Sequence, residues 1–411
     1  MSFWGISPKA FDIVHKAEER ISVLFPGMER TAEENQYKVL RAFQQNSIAA
    51  RHFAPSSGYG YGDEGRDALD SVFASAFGCE DALARPQIVS GTHAIALCFF
   101  ALLRPGDTLL SATGAPYDTL QSVIGSGGRG EGSLAEYGIQ FKQIDLINDE
   151  IDIPSVTSTI KNDRSIKAVF IQRSRGYAWR EALLIGGMEK AIKQIKSSRD
   201  DLTVIVDNCY GEFVDTLEPV NAGADIMAGS LIKNPGGGLA PTGGYIAGRK
   251  ELVQKAACRL TSPGIGREVG SYIGGYASFY QGLFMAPHTV CQALKTAALF
   301  AAAFESLGYE CLPKTSSVRG DIIQAIKFND EEKLIAFCRA IQRASAVDSA
   351  AIPEPWDMPG YQDKVIMAAG TFIQGASIEL SADAPIRKPY IAYMQGALTY
   401  AHGKLAAMVA V

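Results

Sequence analysis

The chain has 411 residues, 47% of them hydrophobic and 20% charged, with a formal net charge of −5. Such a length and apolar content predict a large buried core and two or three domains. The acidic balance and scattered Lys and Arg exclude the phosphate-neutralising field that a nucleic-acid binder needs.

The opening MSFWGISPKAFDIVHKAEER has no apolar core of signal-peptide length and no small-residue cleavage site. The longest apolar runs, such as 96–103, fall far short of a membrane span. The seven cysteines, Cys79, Cys98, Cys209, Cys258, Cys291, Cys311 and Cys338, are widely spaced and show no zinc or redox spacing. A soluble protein of a reducing, cytoplasmic compartment is the expectation.

Apolar residues recur at helical spacing through FDIVHKAEERISVLF and YKVLRAFQQN, predicting helix over residues 8–50 with a break at Pro26-Gly27. A glycine- and tyrosine-rich loop follows at 56–67, then a helix over 67–77. From residue 86 strands and helices alternate. PQIVSG, DTLLSA, FKQIDL, KAVFIQ, LTVIVD, ADIMAGS and GGYIAG read as strands, with helices at THAIALCFFALL and YDTLQSVIG. That alternation predicts an α/β fold with a mostly parallel central sheet flanked by helices, and the nearly all-apolar strands fit a sheet covered on both faces. Beyond residue 285 the pattern changes to a long helix over 288–307, a helix over 330–345 and a last helix over 389–411, with strand-like pieces between. The expected division is an N-terminal helical segment (1–60), a large domain (61–287) and a smaller C-terminal α+β domain (288–411).

The chemistry concentrates at strand ends. Asp207 closes the strand LTVIV, and Lys233 follows a second strand with Ser230 three positions before it and GGG after it. A lysine amine can form an imine with the aldehyde of pyridoxal 5'-phosphate. An acid facing the pyridine nitrogen keeps that nitrogen protonated, so the ring can take up electrons from a carbanion. Strand carboxyl ends are where such sheets bind ligands. In SGTHAIAL a strand ends and a helix begins, so Gly91 and Thr92 can offer free N–H groups to the cofactor phosphate, with Ser230 adding a hydroxyl. Thr92 as an ordinary helix cap is the plainer alternative. His93 belongs either to the core or against the cofactor. Tyr117, in SATGAPYDT, is placed to lie on the pyridine ring or simply to pack in its loop.

Two GxGxxG runs, Gly60-Gly62-Gly65 and Gly125-Gly127-Gly130, lack the strand–turn–helix setting of a dinucleotide site and are set aside. The five histidines show no metal spacing, and His52 and His288 are expected to be structural. No metal site is expected.

The ordered segments SGTHAI, GAPYDT, IQRSRGYAW, VDNCYGEF, GSLIKNPGGGLAPTGGYIAG and SIELSADAPIRKPY resemble one family. It is the fold type I pyridoxal-phosphate group of cystathionine and methionine C–S lyases, in the branch named after aluminium resistance and called cystathionine β-lyase-like or methionine γ-lyase-like. The resemblance covers nearly the whole chain. It implies a fold type I transferase-like architecture. It implies Lys233 as the Schiff-base residue, Asp207 at the pyridine nitrogen, Gly91, Thr92 and Ser230 at the phosphate, and Tyr117 on the ring. It also implies a homodimer or homotetramer in which Tyr59 and Tyr61, in GYGYGDEGRD, reach a neighbouring subunit's site. A substrate carboxylate favours a bidentate arginine; Arg387 is the first choice and Arg173 and Arg175 are rivals. Better-known lyases space that arginine differently.

The implied reaction is Cα deprotonation of a sulfur-containing amino acid by Lys233, then β- or γ-elimination, with Tyr117 protonating the leaving thiolate. An aldolase or aminotransferase would use the same lysine and aspartate, and a catalytically degenerate cofactor-binding protein is the remaining alternative.

Overall fold

The computed structural model describes residues 5–126, 130–358 and 361–411. Two helices open the chain, α1 (Pro8–Ile21) and α2 (Phe25–Gln45). Ser7 caps α1 by accepting the Ala10 N–H at 3.0 Å. Pro26 does not end a helix as expected. It lies in the first turn of α2, where a missing N–H costs nothing, and the interruption is a short 3-10 turn at Ser22–Leu24. The next helix, α3 (Glu64–Phe77), is capped by Asp63 and closed by Gly78 at φ 67°.

The alternating region runs β1 (Asp81–Arg85), α4 (Gly91–Leu102), β2 (Thr108–Ser111), α5 (Asp118–Ile124), β3 (Gln140–Gln143), α6 (Ile153–Asn162), β4 (Ile166–Gln172), α7 (Ile185–Ser198), β5 (Thr203–Asp207), β6 (Ile226–Ser230), β7 (Gly244–Gly248) and α8 (Lys250–Leu260). These seven strands form one sheet in the order β1-β7-β6-β5-β4-β2-β3. From β3 to β6 every pairing is parallel, while β7 runs antiparallel to both β6 and β1. One expectation shifts here. The first strand is 81–85 rather than 86–91, because Pro86 has no ladder N–H and the following turn brings Ser90 to the start of α4. One face of the sheet packs Val169, Val204, Val206 and Met227 against α3, α6 and α7. The other packs Phe170, Ile205 and Ala228 against α4 and α8.

The remaining elements are α9 (Ala277–Ser306), β8 (Glu310–Leu312), β9 (Ile323–Lys327), α10 (Glu331–Ala344), β10 (Val365–Ala368), β11 (Ser381–Pro385), β12 (Ile391–Gln395) and α11 (Tyr400–Ala410). The five strands pair antiparallel in the order β10-β11-β12-β9-β8. The long helix begins at Ala277 rather than 288 and accommodates Pro287 within it. Residues 389–411 are not one helix. In IAYMQ, Ile391, Tyr393 and Gln395 alternate with Ala392 and Met394, the period of a strand, and α11 starts only after Thr399 caps it. The inner stretch of α9 belongs to the core of the large sheet, and its outer stretch, with Phe300 and Phe304, belongs to the core beneath the small sheet. Among the described residues no helix is long and apolar enough to cross a membrane.

Candidate active site

The parallel strands β4, β5 and β6 end at Gln172, Asp207 and Ser230. All three residues line one cavity of about 290 Å³, whose opposite wall is the small sheet, through Ile323, Met367, Ser381, Asp383, Tyr393 and Gln395. This is the crevice that a parallel sheet leaves at its carboxyl edge.

Lys233 enters the cavity just beyond β6. Its Nζ lies 3.9 Å from the centroid of the Tyr210 ring. Burial opposes its charge, but Cys209, Tyr210 and Asp207 outweigh burial and hold the amine above its ordinary pKa. Asp207 accepts the Cys209 N–H at 3.0 Å, and no other N–H or O–H donor among the described residues reaches its carboxylate. Burial pushes its pKa up, against the backbone hydrogen bond from Cys209 and the charge of Lys233. A buried carboxylate with an open oxygen can pair with a cationic group brought in by a ligand.

The start of α4 offers free backbone N–H groups to the cavity. Ser90 Oγ accepts the His93 N–H at 3.1 Å, and the Ser90 carbonyl accepts from Ala94. The N–H groups of Gly91 and Thr92 therefore remain for a ligand. A Cβ on Gly91 would lie 2.9 Å from Cys209 Sγ and 3.5 Å from Ser230 Cβ, so glycine lets the helix start settle onto the ends of β5 and β6. Thr92 Oγ1 and Thr119 Oγ1 share a hydrogen bond of 2.8 Å.

Tyr117 closes one side. Its N–H donates to Gln172 Oε1 at 2.7 Å and its hydroxyl lies 2.5 Å from that of Tyr361. Its ring meets those of Tyr177 and Tyr361 edge-on, with centroids 5.6 and 6.0 Å away. Burial pushes the Tyr117 pKa far above the phenol range, so the group stays a proton donor at neutral pH.

The cavity thus gathers Lys233, Asp207, Ser230, Gly91, Thr92 and Tyr117, and other expected residues lie elsewhere. His93 turns its Nδ1 back to accept the Val89 N–H at 3.2 Å and stays outside the lining. Tyr59 and Tyr61 are 76% and 67% exposed. Their loop is nevertheless tied down, with Ser271 Oγ donating to the Gly58 carbonyl and Arg66 to the Gly60 carbonyl. Arg173 is held inside the protein, its Nη1 donating to Asn208 Oδ1 and the Gly211 carbonyl at 2.8 Å each, while its Nε has no partner among the described residues. Arg175 is buried and donates to the Leu312 carbonyl at 2.7 Å. Arg387 is half-exposed and paired with Asp363 at 2.9 Å; its charge is felt by Asp118 and by Tyr393, which lines the cavity. No arginine lines the cavity among the described residues. His52 Nδ1 accepts the Ala49 N–H, and His288 is exposed on α9. In the set-aside run Gly125-Gly127-Gly130, Gly127 lies outside the described residues. No group of metal-binding side chains occurs among the described residues.

Sequence reasoning overlooked the small sheet's contribution. Asp383 accepts from Gln395 Nε2 at 3.0 Å, and burial pushes its pKa up to about 6. Ser381 and Asp383 face the cavity, while Ala382 and Ala384 face the core. That alternation in SADAP is the signal that could have found it. Asn234 was also missed: its Nδ2 donates to the carbonyls of Tyr210 and Glu212 at 3.0 and 2.9 Å, joining the Lys233 segment to the turn after β5.

The methionine gamma-lyase sequence profile matches residues 10–411. The Bacillus subtilis (strain 168) protein YnbB is 51% identical over 398 residues, spanning 96% of this chain and 94% of that one. The structure of a carbon-sulfur lyase involved in aluminum resistance from Clostridium novyi NT is similar at 51% identity and a TM-score of 0.96, covering 100% of this chain and 96% of its own. The Escherichia coli pyridoxal-5'-phosphate dependent protein YhfS shares the fold at 12% identity and a TM-score of 0.62, over 92% of this chain and 94% of that one. The architecture is therefore that of the fold type I pyridoxal-phosphate enzymes, with a smaller C-terminal sheet domain.

Proposed function

The chain belongs to the methionine gamma-lyase family, and from that premise we propose that it is a pyridoxal-phosphate-dependent carbon–sulfur lyase that deprotonates a sulfur-containing amino acid at Cα and expels sulfur from Cβ or Cγ. The observation that carries this reading is the convergence of Lys233, Asp207 and the free start of α4 on one cavity. The 51% identity to a carbon-sulfur lyase supports it.

The residues present fit the cofactor. Gly91 and Thr92 N–H groups with the Ser230 hydroxyl would hold its phosphate, Asp207 its ring nitrogen, Tyr117 its ring face and Lys233 its aldehyde carbon. When bound, it supplies an electron sink for the charge left on Cα. Lys233, released by the substrate amine, is the base that takes the Cα proton. The Tyr210 ring beneath Nζ steadies the lysine through this exchange. Tyr117 keeps its phenolic proton and delivers it to the departing thiolate. Arg387, outside the lining and paired with Asp363, would exchange that partner for the substrate carboxylate.

We extend the proposal to the assembly. The exposed pair Tyr59 and Tyr61, on a loop tied to the body, suits contact with a second copy in a cytoplasmic homodimer or homotetramer. The division 1–60, 61–287 and 288–411 serves as the working domain map.

The test is to incubate the purified protein with pyridoxal phosphate and L-cystathionine and identify the 2-oxo acid. Pyruvate means β-elimination and 2-oxobutyrate means γ-elimination. A protein that holds cofactor but releases no oxo acid from any thioether amino acid overturns the lyase reading in favour of an aldolase or aminotransferase. Lys233→Ala should abolish turnover and the cofactor's imine absorption; an active, yellow variant refutes the assignment of Lys233.

A further inference from the structure

Two carboxylates line the cavity among the described residues, Asp207 and Asp383. Asp207 lies on the floor, where the cofactor ring would occupy it. Asp383 projects from β11 on the opposite wall and has no task in holding that ring. Gln395 takes one of its oxygens, and no protein donor among the described residues reaches the other. Two further polar atoms are left over. Tyr177 Oη and Ser377 Oγ are buried without a partner among the described residues, and both residues line the same cavity. All three groups can accept hydrogen bonds. Apart from Lys233 the lining contains no cation among the described residues.

A methionine-like thioether would leave this wall unsatisfied. Its uncharged side chain would desolvate the Asp383 carboxylate and return no hydrogen bond to it or to the two buried hydroxyls, which is costly in a closed site. An ammonium group has three N–H donors and the opposite charge, and matches the same acceptors. We propose that Asp383 is a specificity-determining residue that selects substrates carrying a second, distal ammonium group on the sulfur substituent, such as the diamino acid thioethers, over uncharged S-alkyl amino acids. This rests on the lyase reading and deepens it.

The test compares two isosteres, S-(2-aminoethyl)-L-cysteine and S-propyl-L-cysteine, which differ in an ammonium against a methyl at the far end. β-Elimination of either breaks the Cβ–S bond, the thiolate taking the bonding pair and a proton, and hydrolysis of the released enamine gives pyruvate and ammonia. The holoenzyme should favour the aminoethyl substrate by about 10–100-fold in kcat/KM, the scale of a charged hydrogen bond. Asp383→Asn should bring that ratio to within about threefold of unity. The ratio is the readout, so a general loss of stability or activity does not imitate the result. Equal kcat/KM for the two substrates in the unaltered protein, or an unchanged ratio in Asp383→Asn, overturns the proposal. Binding of both compounds to cofactor-loaded Lys233→Ala, followed by calorimetry, separates the two readings. If no pyruvate forms from either compound yet the aminoethyl one binds tighter in an Asp383-dependent way, the β-elimination reading fails and the selectivity stands. Equal binding there sinks the selectivity itself.

Discussion

The Nζ of Lys233 rests 3.9 Å above the centre of the Tyr210 ring. Tyr210 holds a left-handed backbone, φ 70°, at the turn after β5, and its carbonyl is pinned by the Asn234 amide. The lysine and its aromatic platform are thus fastened by the residue that follows the lysine. Tyr210→Leu removes the platform, worth roughly 0.5–2 kcal/mol. The expected result is a kcat lower by about 3–30-fold with cofactor content retained. Tyr210→Phe keeps the ring face and should stay within about threefold of the parent protein. Equal losses in both variants would show that the hydroxyl, not the ring, is what matters.

Asp207→Asn keeps the size of the side chain and its acceptor for the Cys209 N–H but removes the charge that the proposal sets against the ring nitrogen. The expected loss is about 10²–10³-fold in kcat, the scale of one well-placed electrostatic group. The melting temperature should change little, and rise if anything, since burial already raises the pKa of this acid. An unchanged kcat would refute the electron-sink role.

Gly91→Ala tests the anion site. The added methyl would meet Cys209 Sγ at 2.9 Å, an overpacking that costs about 1–3 kcal/mol. Weaker retention of pyridoxal phosphate on dialysis is the expected outcome. Gly91→Ala combined with Cys209→Ala restores the missing space and should recover most of the retention. Failure of that rescue would mean that the glycine serves backbone conformation rather than close approach.

Tyr117 and Tyr361 share a hydrogen bond of 2.5 Å between hydroxyls that come from the two domains of the working map. If Tyr117 protonates the leaving thiolate, Tyr117→Phe should cost about 10²–10⁴-fold. The loss should shrink for substrates whose thiol is acidic enough to leave unprotonated. Tyr361→Phe removes only the partner that orients the donor, so a loss of about 3–30-fold is expected, roughly the loss of one hydrogen bond. A loss independent of thiol acidity in Tyr117→Phe would leave Tyr117 a packing residue.

How much of this was legible in advance follows from where each residue sits along the chain. Asp207, Ser230 and Lys233 stand at or just past strand ends that local apolar runs announce, and Gly91-Thr92 marks a strand-to-helix turn. The sheet brings such ends to one edge whatever the loops do. Asp383 and Tyr361 are different: the alternation in SADAP can mark which side of its strand Asp383 takes, but that this side meets the cavity, like the position of Tyr361, follows only from the packing of the small sheet against the large one. Arg387 illustrates the limit. It is four residues from Asp383, yet the strand points the acid inward and leaves the arginine outside the lining, paired with Asp363. The misplaced last helix has the same origin: the alternation in IAYMQ is short, and helix-forming Ala and Met obscured it.

Glu212 lies at full burial behind the site, with Oε1 accepting the Tyr245 hydroxyl at 2.8 Å and Oε2 without a partner among the described residues. Burial pushes its pKa from an ordinary 4.5 up to about 8; the backbone and Tyr245 hydrogen bonds and Lys233 lower it, and Glu218 raises it. Around neutral pH the folded protein therefore holds a proton here that the unfolded chain has already released. Between about 4.5 and about 8 the native state binds more protons at this position than the unfolded state, so stability must fall as pH rises through that window. Glu212→Gln removes the titration while keeping an acceptor for Tyr245. At pH 5 the variant and the parent should unfold at similar denaturant concentrations. At pH 8.5 the variant should be the more stable, by an amount on the order of a few kcal/mol. Urea midpoints at the two pH values check this, and a gap between the proteins that does not change with pH would mean that Glu212 is already ionised, with Lys233 rather than a proton balancing its charge.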